Sequence, residues 1–424
     1  MTWLQRYRIR HYIATSIWIM PSLLMVVAMA MTRLCYWIDR QAGWESAIHA
    51  ETARAVLATM AASMFTFIVF VSSALLVAVQ LASAQLTPRI IAIVFRSPVT
   101  RFSLSLFVFT FTFSLAALVR ITESVPSLTV QVAAYSSLVS LVIFLFLIDH
   151  VGKFLRPSGA LRSVAELGRS VIKTVYPHAL HDQKTTGSVV PPILGEKPRL
   201  TVTKHQDGVV LAFDVAGLVA MAQRADCIIE VLPQVGDHIT VGDQVFRVFG
   251  GTTSLSEKEL GQSIAVGLER TLTQDPTFAF RIMVDIASKG LSPAINDPTT
   301  AVLAIDQIHH LLQYVGTRDL DTGVVHDANG RLRLIYRTPD WEDFVRLAVT
   351  EIRQFGDGSI QIARRLRGML ENLIQTLPDS RAALLREELA ILKRSAERVF
   401  TEPEDRALAE VSDAQGVGGK RSRT

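Results

Sequence analysis

An uncharged run of 34 residues, Ala55 to Pro88, limits this chain more than any other feature. A helix needs about 20 mostly apolar residues to cross a bilayer. Residues 11–32, 102–119 and 124–148 also lack Asp, Glu, Lys and Arg. The pattern predicts four transmembrane helices, centred near Leu23, Phe70, Phe111 and Val142. An arginine-led apolar run ending in Ala28-Met29-Ala30 resembles a secretory signal. Its length and the interfacial Tyr36-Trp37 pair make it a retained helix instead.

Charge divides the chain. Residues 1–148 hold ten Arg, no Lys and four acids, whereas residues 149–424 hold 33 bases and 35 acids. The basic excess flanks membrane helices, so it points to no nucleic-acid surface. Arg6, Arg8, Arg10, Arg89, Arg96, Arg101, Lys153, Arg156 and Arg162 fall on one side. Arg33, Arg40, Arg54 and Arg120 fall on the other, with all four acids. The positive-inside rule then places both termini in the cytoplasm. Cys35 and Cys227 lie on opposite sides, so no disulfide between them is expected.

The expected organisation is a transmembrane domain over 1–156, a juxtamembrane helix and linker over 157–198, and a small β module over 199–252. A mostly helical region follows over 253–410, with a hairpin near 324–336, and then a disordered tail over 411–424. Two Gly-Asp pairs, Gly236-Asp237 and Gly242-Asp243, lie six residues apart and read as tight turns. They resemble the turns of biotinyl/lipoyl barrel-sandwich domains. No Lys occurs between Lys204 and Lys258, so no prosthetic-group attachment is expected. The fold class is therefore an α-helical membrane protein joined to a cytoplasmic α+β region with a barrel-sandwich-like module.

Two constellations bear on function. In the second membrane helix Thr59, Thr66, Ser73 and Gln80 repeat every seven residues, and Ser63 sits beside them. Helix three continues the theme with Ser103, Thr110 and Ser114. Such a stripe is satisfied by a neighbouring helix or by water. It is either a hydroxyl-lined path built by several subunits, with Thr59, Ser63, Thr66, Ser73, Gln80 and Thr110 lining it, or a packing surface. No acid or base lies near a midplane, which disfavours proton-coupled transport.

The second constellation runs from Asp285 to Ala301. Asp275-Pro276 and Asp297-Pro298 each open an apolar-periodic helix, because Asp caps well and Pro is tolerated at the first helical position. Arg281 and Asp285 are spaced to pair. Ser292, Asn296, Asp297 and Thr300 cluster at the helix start. They offer oxygen ligands for a small ion or ligand, or a rigid corner whose side chains bond the next turn. A hydrolase with Ser292 as nucleophile has no elbow pattern and no assigned base. Asp306 with His309-His310 suggests a metal, but adjacent histidines diverge by about 100° on a helix, so a solvated pair is the plainer reading. No cofactor or metal is expected.

The string Ile286-Ala287, Leu291–Pro298 and Thr300-Ala301, with Asp275-Pro276 before it, resembles the signature of a bacterial family of predicted four-helix membrane proteins of unknown function. Gly290 stands where that family usually has Ala. The resemblance extends to the Gly-Asp turns and to Thr338–Asp343. It implies a multi-pass protein of the bacterial inner membrane and assigns no catalytic residue. The expected function is an oligomeric, channel-like passive transporter with a cytoplasmic gating or assembly domain. The alternative is a membrane-anchored scaffold or ligand sensor acting through the 285–301 loop. The expected partners are the bilayer, further copies of the chain and a small ion or ligand.

Overall fold

The computed structural model describes all residues except 45, 47, 91–96, 123–124, 181–196, 252–254, 321–322 and 419–424. Most of the segment read as a linker, with Pro191-Pro192, lies outside the described residues, as does the basic end Lys420–Thr424. The chain divides into two compact units, residues 11–160, and residues 1–10 with 161–424.

Helix α1 spans Trp3–Thr15. Four helices long and apolar enough to cross a membrane follow: α2 (Ile19–Ala42), α3 (Ala50–Gln85), α4 (Pro98–Leu118) and α5 (Ser127–Phe154). The first span starts later than its uncharged run predicts, and its centre lies C-terminal to Leu23. Pro21 is the cause: it lacks an amide proton and fits only the first turn of a helix, so α1 ends and α2 starts just before it. At 36 residues α3 is about 54 Å long, well beyond a hydrocarbon core of about 30 Å.

Helix α4 is the centre of the membrane unit and packs on α2, α3 and α5. Lipid is as apolar as leucine, so close approach rather than hydrophobicity must hold these helices together. The sequence supplies this with small residues: Ser103, Ser105, Ser114 and Ala117 of α4 are buried, and α3 meets the bundle with Ala53, Ala61, Ala78 and Ala82. Phe67 and Phe144 stack at 4.5 Å between α3 and α5.

The helix ends are closed by charges from other helices. Asp39 of α2 accepts from Leu128 N (2.8 Å), Thr129 N (3.0 Å) and Thr129 Oγ1 (2.8 Å) at the start of α5. That start follows Pro126, which offers no side-chain cap of its own. Arg101 donates to Ile13 O (2.7 Å) and Ala14 O (3.3 Å) at the end of α1. Arg54 donates to Ile121 O (2.8 Å) just past α4. Each charge opposes the partial charge of the terminus it meets.

The second unit is α+β. Helix α6 (Pro157–Val175) packs into it through Gly168, where an added Cβ would meet Ala279 at 2.6 Å and Leu311 at 3.1 Å. Residues 200–250 form the elements β1 (Leu200–Thr203), β2 (Gly208–Phe213), α7 (Val215–Ala225), β3 (Cys227–Val231), β4 (His238–Ile239) and β5 (Gln244–Gly250). Both Gly-Asp turns are built alike. The glycine takes a positive φ (97° at Gly236, 94° at Gly242), and the aspartate accepts the amide three residues back, Gln234 N at 2.8 Å and Thr240 N at 2.7 Å.

The strands do not close into a barrel. They form a three-stranded sheet, β4-β2-β6, and a five-stranded sheet, β1-β5-β3-β8-β7. Strand β6 (Ile264–Gly267) falls in the region expected to be mostly helical, just after the short helix α8 (Glu257–Gly261). Ile264 and Val266 are β-branched, and β6 is held by antiparallel pairing to β2. The hairpin β7 (Val324–His326) and β8 (Leu332–Tyr336) belongs to the sheet, not to the helical region, because β8 runs parallel to β3. Buried Arg333 fixes that pairing with 2.8 Å bonds to Asp226, the left-handed cap of α7, and to Asp327 of the hairpin.

The helical layer comprises α9 (Pro276–Gly290), α10 (Pro298–Gly316), α11 (Trp341–Phe355), α12 (Ile360–Thr376), α13 (Asp379–Val399) and α14 (Pro403–Ala409). Phe280, Phe344 and Tyr176 cluster between α9, α11 and α6, with centroids 5.3 and 6.1 Å apart. Residues 411–418, predicted to be disordered, fold back on α12. Asp413 accepts from Gln415 N, Gly416 N and Gly418 N, and buried Arg364 donates to Val411 O (3.0 Å) and Gly418 O (2.9 Å). Residues 1–10 also join this unit: Trp3, Leu4 and Tyr7 pack on Leu211, Ala212 and Ala265.

Removing the cap on α5 gives a direct check of the membrane unit. Asp39→Ala leaves two amides without an acceptor and should cost about 1–2 kcal/mol, read as a lower unfolding midpoint in detergent. Asp39→Asn keeps an acceptor and should recover part of the loss.

Candidate functional site

The α3 stripe faces away from its own bundle. Thr59, Ser63, Thr66, Ser73 and Gln80 are all exposed, on the side opposite Leu57, Met64, Val71 and Leu75. Thr59 and Thr66 satisfy their hydroxyls on Ala55 O (2.8 Å) and Ala62 O (3.0 Å), one turn back in the same helix. A glutamine carboxamide carries two donors and an acceptor, and Gln80 makes no hydrogen bond among the described residues. Thr110 does not join the stripe. It is fully buried in α4 and shares a 2.9 Å hydrogen bond with Ser140 of α5. Ser103 bonds back to Val99 O (2.8 Å), and Ser114 has no partner among the described residues. Two stripes that look alike in sequence are therefore used differently: α4 turns its hydroxyls inward and α3 turns them out.

The Asp-Pro segments each cap a helix. Asp275 accepts from Phe278 N (3.0 Å) and Thr277 Oγ1 (2.6 Å). It is buried beside Gly236, whose added Cβ would stand 2.7 Å from Asp275 Oδ2. Arg270 links the two, donating to Gly236 O at 2.7 and 3.0 Å and approaching Asp275 at 3.9 Å. The first Gly-Asp turn and the first Asp-Pro motif thus form one junction. Burial pushes the Asp275 carboxyl above its ordinary range, against the Thr277 hydroxyl and the Arg270 guanidinium.

Asp297 caps α10 through Thr300 N (3.0 Å) and Thr300 Oγ1 (2.5 Å). The loop before it closes by Asp297 N to Gly290 O (2.6 Å), with Asn296 left-handed at φ 48°. Asn296 N donates to Ser292 O (2.9 Å), and Ser292 Oγ donates to Lys289 O (2.7 Å). Gly290 has backbone against it: an added Cβ would lie 3.0 Å from Asp297 O. These bonds make a rigid corner whose polar atoms serve their own backbone. Ser292 has no base beside it among its described hydrogen bonds.

Arg281 and Asp285 pair at 2.7 Å, and Arg281 also holds Glu351 of α11 by two bonds of 2.5 and 2.7 Å. Glu351 is 70 positions away in sequence, and nothing in its local pattern announces the contact. The Arg281 guanidinium lowers the Glu351 carboxyl below its ordinary range. The candidates therefore separate into three places: Asp275 at one end of α9, Arg281 and Asp285 on its face toward α11, and Ser292 to Thr300 at its other end. His309 bonds Asn372 (2.9 Å) and neighbours Arg365, which pairs with Asp306 at 2.6 Å. Burial lowers the His309 ring. No group of three metal-ligating side chains occurs among the described residues.

Four apolar spanning helices with a mixed-sheet C-terminal region define a multi-pass membrane protein. The chain belongs to the family described as predicted membrane protein (DUF2254), whose model matches residues 14–372. It is similar to uncharacterized proteins of Mycobacterium bovis and of two strains of Mycobacterium tuberculosis. Each is 24% identical over 422 residues, covering 95% of this chain and 80% of the relative. No solved structure matches.

The Arg281 hub gives a pH prediction. A carboxyl lowered in the folded state adds stability above its unfolded pKa, and that stability is lost as pH falls through the folded value. Glu351→Gln should therefore lower the urea midpoint at pH 7, and the gap to wild type should shrink as pH drops below about 4.3. An unchanged gap would place the stabilisation in packing instead.

Proposed function

We propose that the chain is a homo-oligomeric inner-membrane protein that forms a passive, hydroxyl-lined path along α3, with its C-terminal unit assembling or gating it from the cytoplasm. The outward stripe carries this reading. A peripheral helix that presents Thr59, Ser63, Thr66, Ser73 and Gln80 outward would turn a line of polar side chains toward acyl chains along its middle, with the Gln80 carboxamide unbonded toward its C-terminal end. A second copy or a column of water removes that cost. The seven-residue spacing suits a neighbouring helix at a left-handed crossing. Helices α3, α4 and α5 hold no acid or base near their centres, while α2 carries Arg33 close to its midpoint; a path along α3 is thus free of ionisable groups, which favours passive passage over a proton-coupled cycle. Cytoplasmic termini are supported by the arginine bias and by Trp3, Leu4 and Tyr7 packing on the C-terminal unit.

The sensor reading through residues 285–301 has less support, because the Ser292 and Asp297 side chains are engaged in the corner itself and Asn296 contributes its backbone to it.

Purified protein in a planar bilayer should show single-channel current, and Thr66→Leu/Ser73→Leu should abolish it while leaving the oligomer intact on sizing. Cysteines placed at Thr66 and Ser73 should react with a membrane-impermeant thiol reagent. Current unchanged by the double substitution, together with unreactive cysteines, would sink the path.

A further inference from the structure

Three motifs of the C-terminal unit that the proposed path leaves unused meet at one cavity. Gln274 and Pro276 flank the Asp275 cap, Gln234 and Val235 precede the Gly236-Asp237 turn, and Thr338-Pro339 open the capping box of α11. All six residues line a cavity of about 480 Å³. Pockets of about 300–1,000 Å³ with apolar walls and a few convergent polar groups are the usual form of small-molecule sites.

The walls are held in place. Gln274 accepts from Phe213 N (3.1 Å) and donates to Phe213 O (3.4 Å). The buried Tyr176 hydroxyl donates to Pro339 O (2.8 Å), and Thr338 Oγ1 to Leu320 O (3.2 Å). Phe213 and Tyr336 meet edge to face at 5.0 Å and form an aromatic wall, which Val325 and Val235 extend.

The charges at the cavity are unequal. Its lining acid, Asp319, has Arg381 as an electrostatic partner. Its lining base, Arg337, has no ion pair or hydrogen bond among the described residues. His326 and His178 also line it.

We propose that this cavity binds a planar, apolar carboxylate, with its ring against Phe213 and Tyr336 and its carboxylate on Arg337. A guanidinium fits a carboxylate through two parallel hydrogen bonds. The proposal does not depend on the α3 path.

The test uses the full chain in lipid nanodiscs, with 2-naphthoate as probe, neutral 2-naphthamide as control and empty nanodiscs subtracted for partitioning. Calorimetry should show saturable naphthoate binding. Arg337→Gln should weaken it at least tenfold and change naphthamide binding less than twofold. Val325→Trp, which fills the cavity, should remove both, with each variant sizing like wild type. Absence of saturable naphthoate binding overturns the proposal. So does naphthoate binding that survives both substitutions, or an Arg337→Gln effect equal for the acid and the amide.

Discussion

A carboxylate laid on the first amides of a helix is the contact on which most of this structure depends. Asp39 does it between chain-distant helices, and Asp214, Asp275, Asp297 and Asp340 do it for α7, α9, α10 and α11. The first amides of any helix have no partner within it. The start of α5 follows Pro126 and has no side-chain cap of its own, so it borrows Asp39 from α2. In the C-terminal unit the cap also sets direction. Asp275 and Asp297 each precede a proline, which stops the chain from continuing as a helix backwards and fixes where α9 and α10 begin.

The caps also explain why the signature segment is dense in polar residues without being an obvious site. Leu291 to Thr300 must reverse the chain between two buried helices in a few residues. Asn296 takes the left-handed turn, Gly290 lets Asp297 O approach, and Asp297 both receives Thr300 and donates to Gly290. The Ser292, Asp297 and Thr300 side chains are spent on that reversal. By contrast Asp275-Pro276 and Thr338-Pro339 spend their bonds on a frame around an open cavity, which leaves Arg337 available.

The four spans were legible because an absence of charge over eighteen or more mostly apolar residues has one common cause. Their first boundary was not, since a hydropathy run does not register what Pro21 does to backbone hydrogen bonding. The hairpin near 324–336 was legible, because Asn-Gly at 329–330 suits a tight turn, but its membership in the β3 sheet was not: parallel pairing joins strands about a hundred residues apart and leaves no local trace. Strand β6 was hidden because four residues, Ile264 to Gly267, are too few to show an alternation. The inward arginines Arg364 and Arg365 were hidden for another reason. An arginine on an amphipathic helix reads as solvated, and only the fold shows that Arg364 meets backbone carbonyls of the C-terminal segment and Arg365 meets Asp306.

The difference between α3 and α4 lies beyond local sequence in the same way. Both carry hydroxyls at helical spacing, and a hydroxyl can bond its own preceding turn on either face. What separates them is position. Helix α4 touches three neighbours and turns its hydroxyls toward them, and small hydroxyl residues are what allow three helices to come close. Helix α3 spends its alanines on that contact and has its polar stripe left over. Threonine alone would not make the leftover stripe informative, because Thr59 and Thr66 are content with their own backbone. Gln80 changes that balance: its carboxamide lies on the same line and makes no hydrogen bond among the described residues. The proposed assembly therefore places this line, and not the hydroxyls of α4, toward its axis.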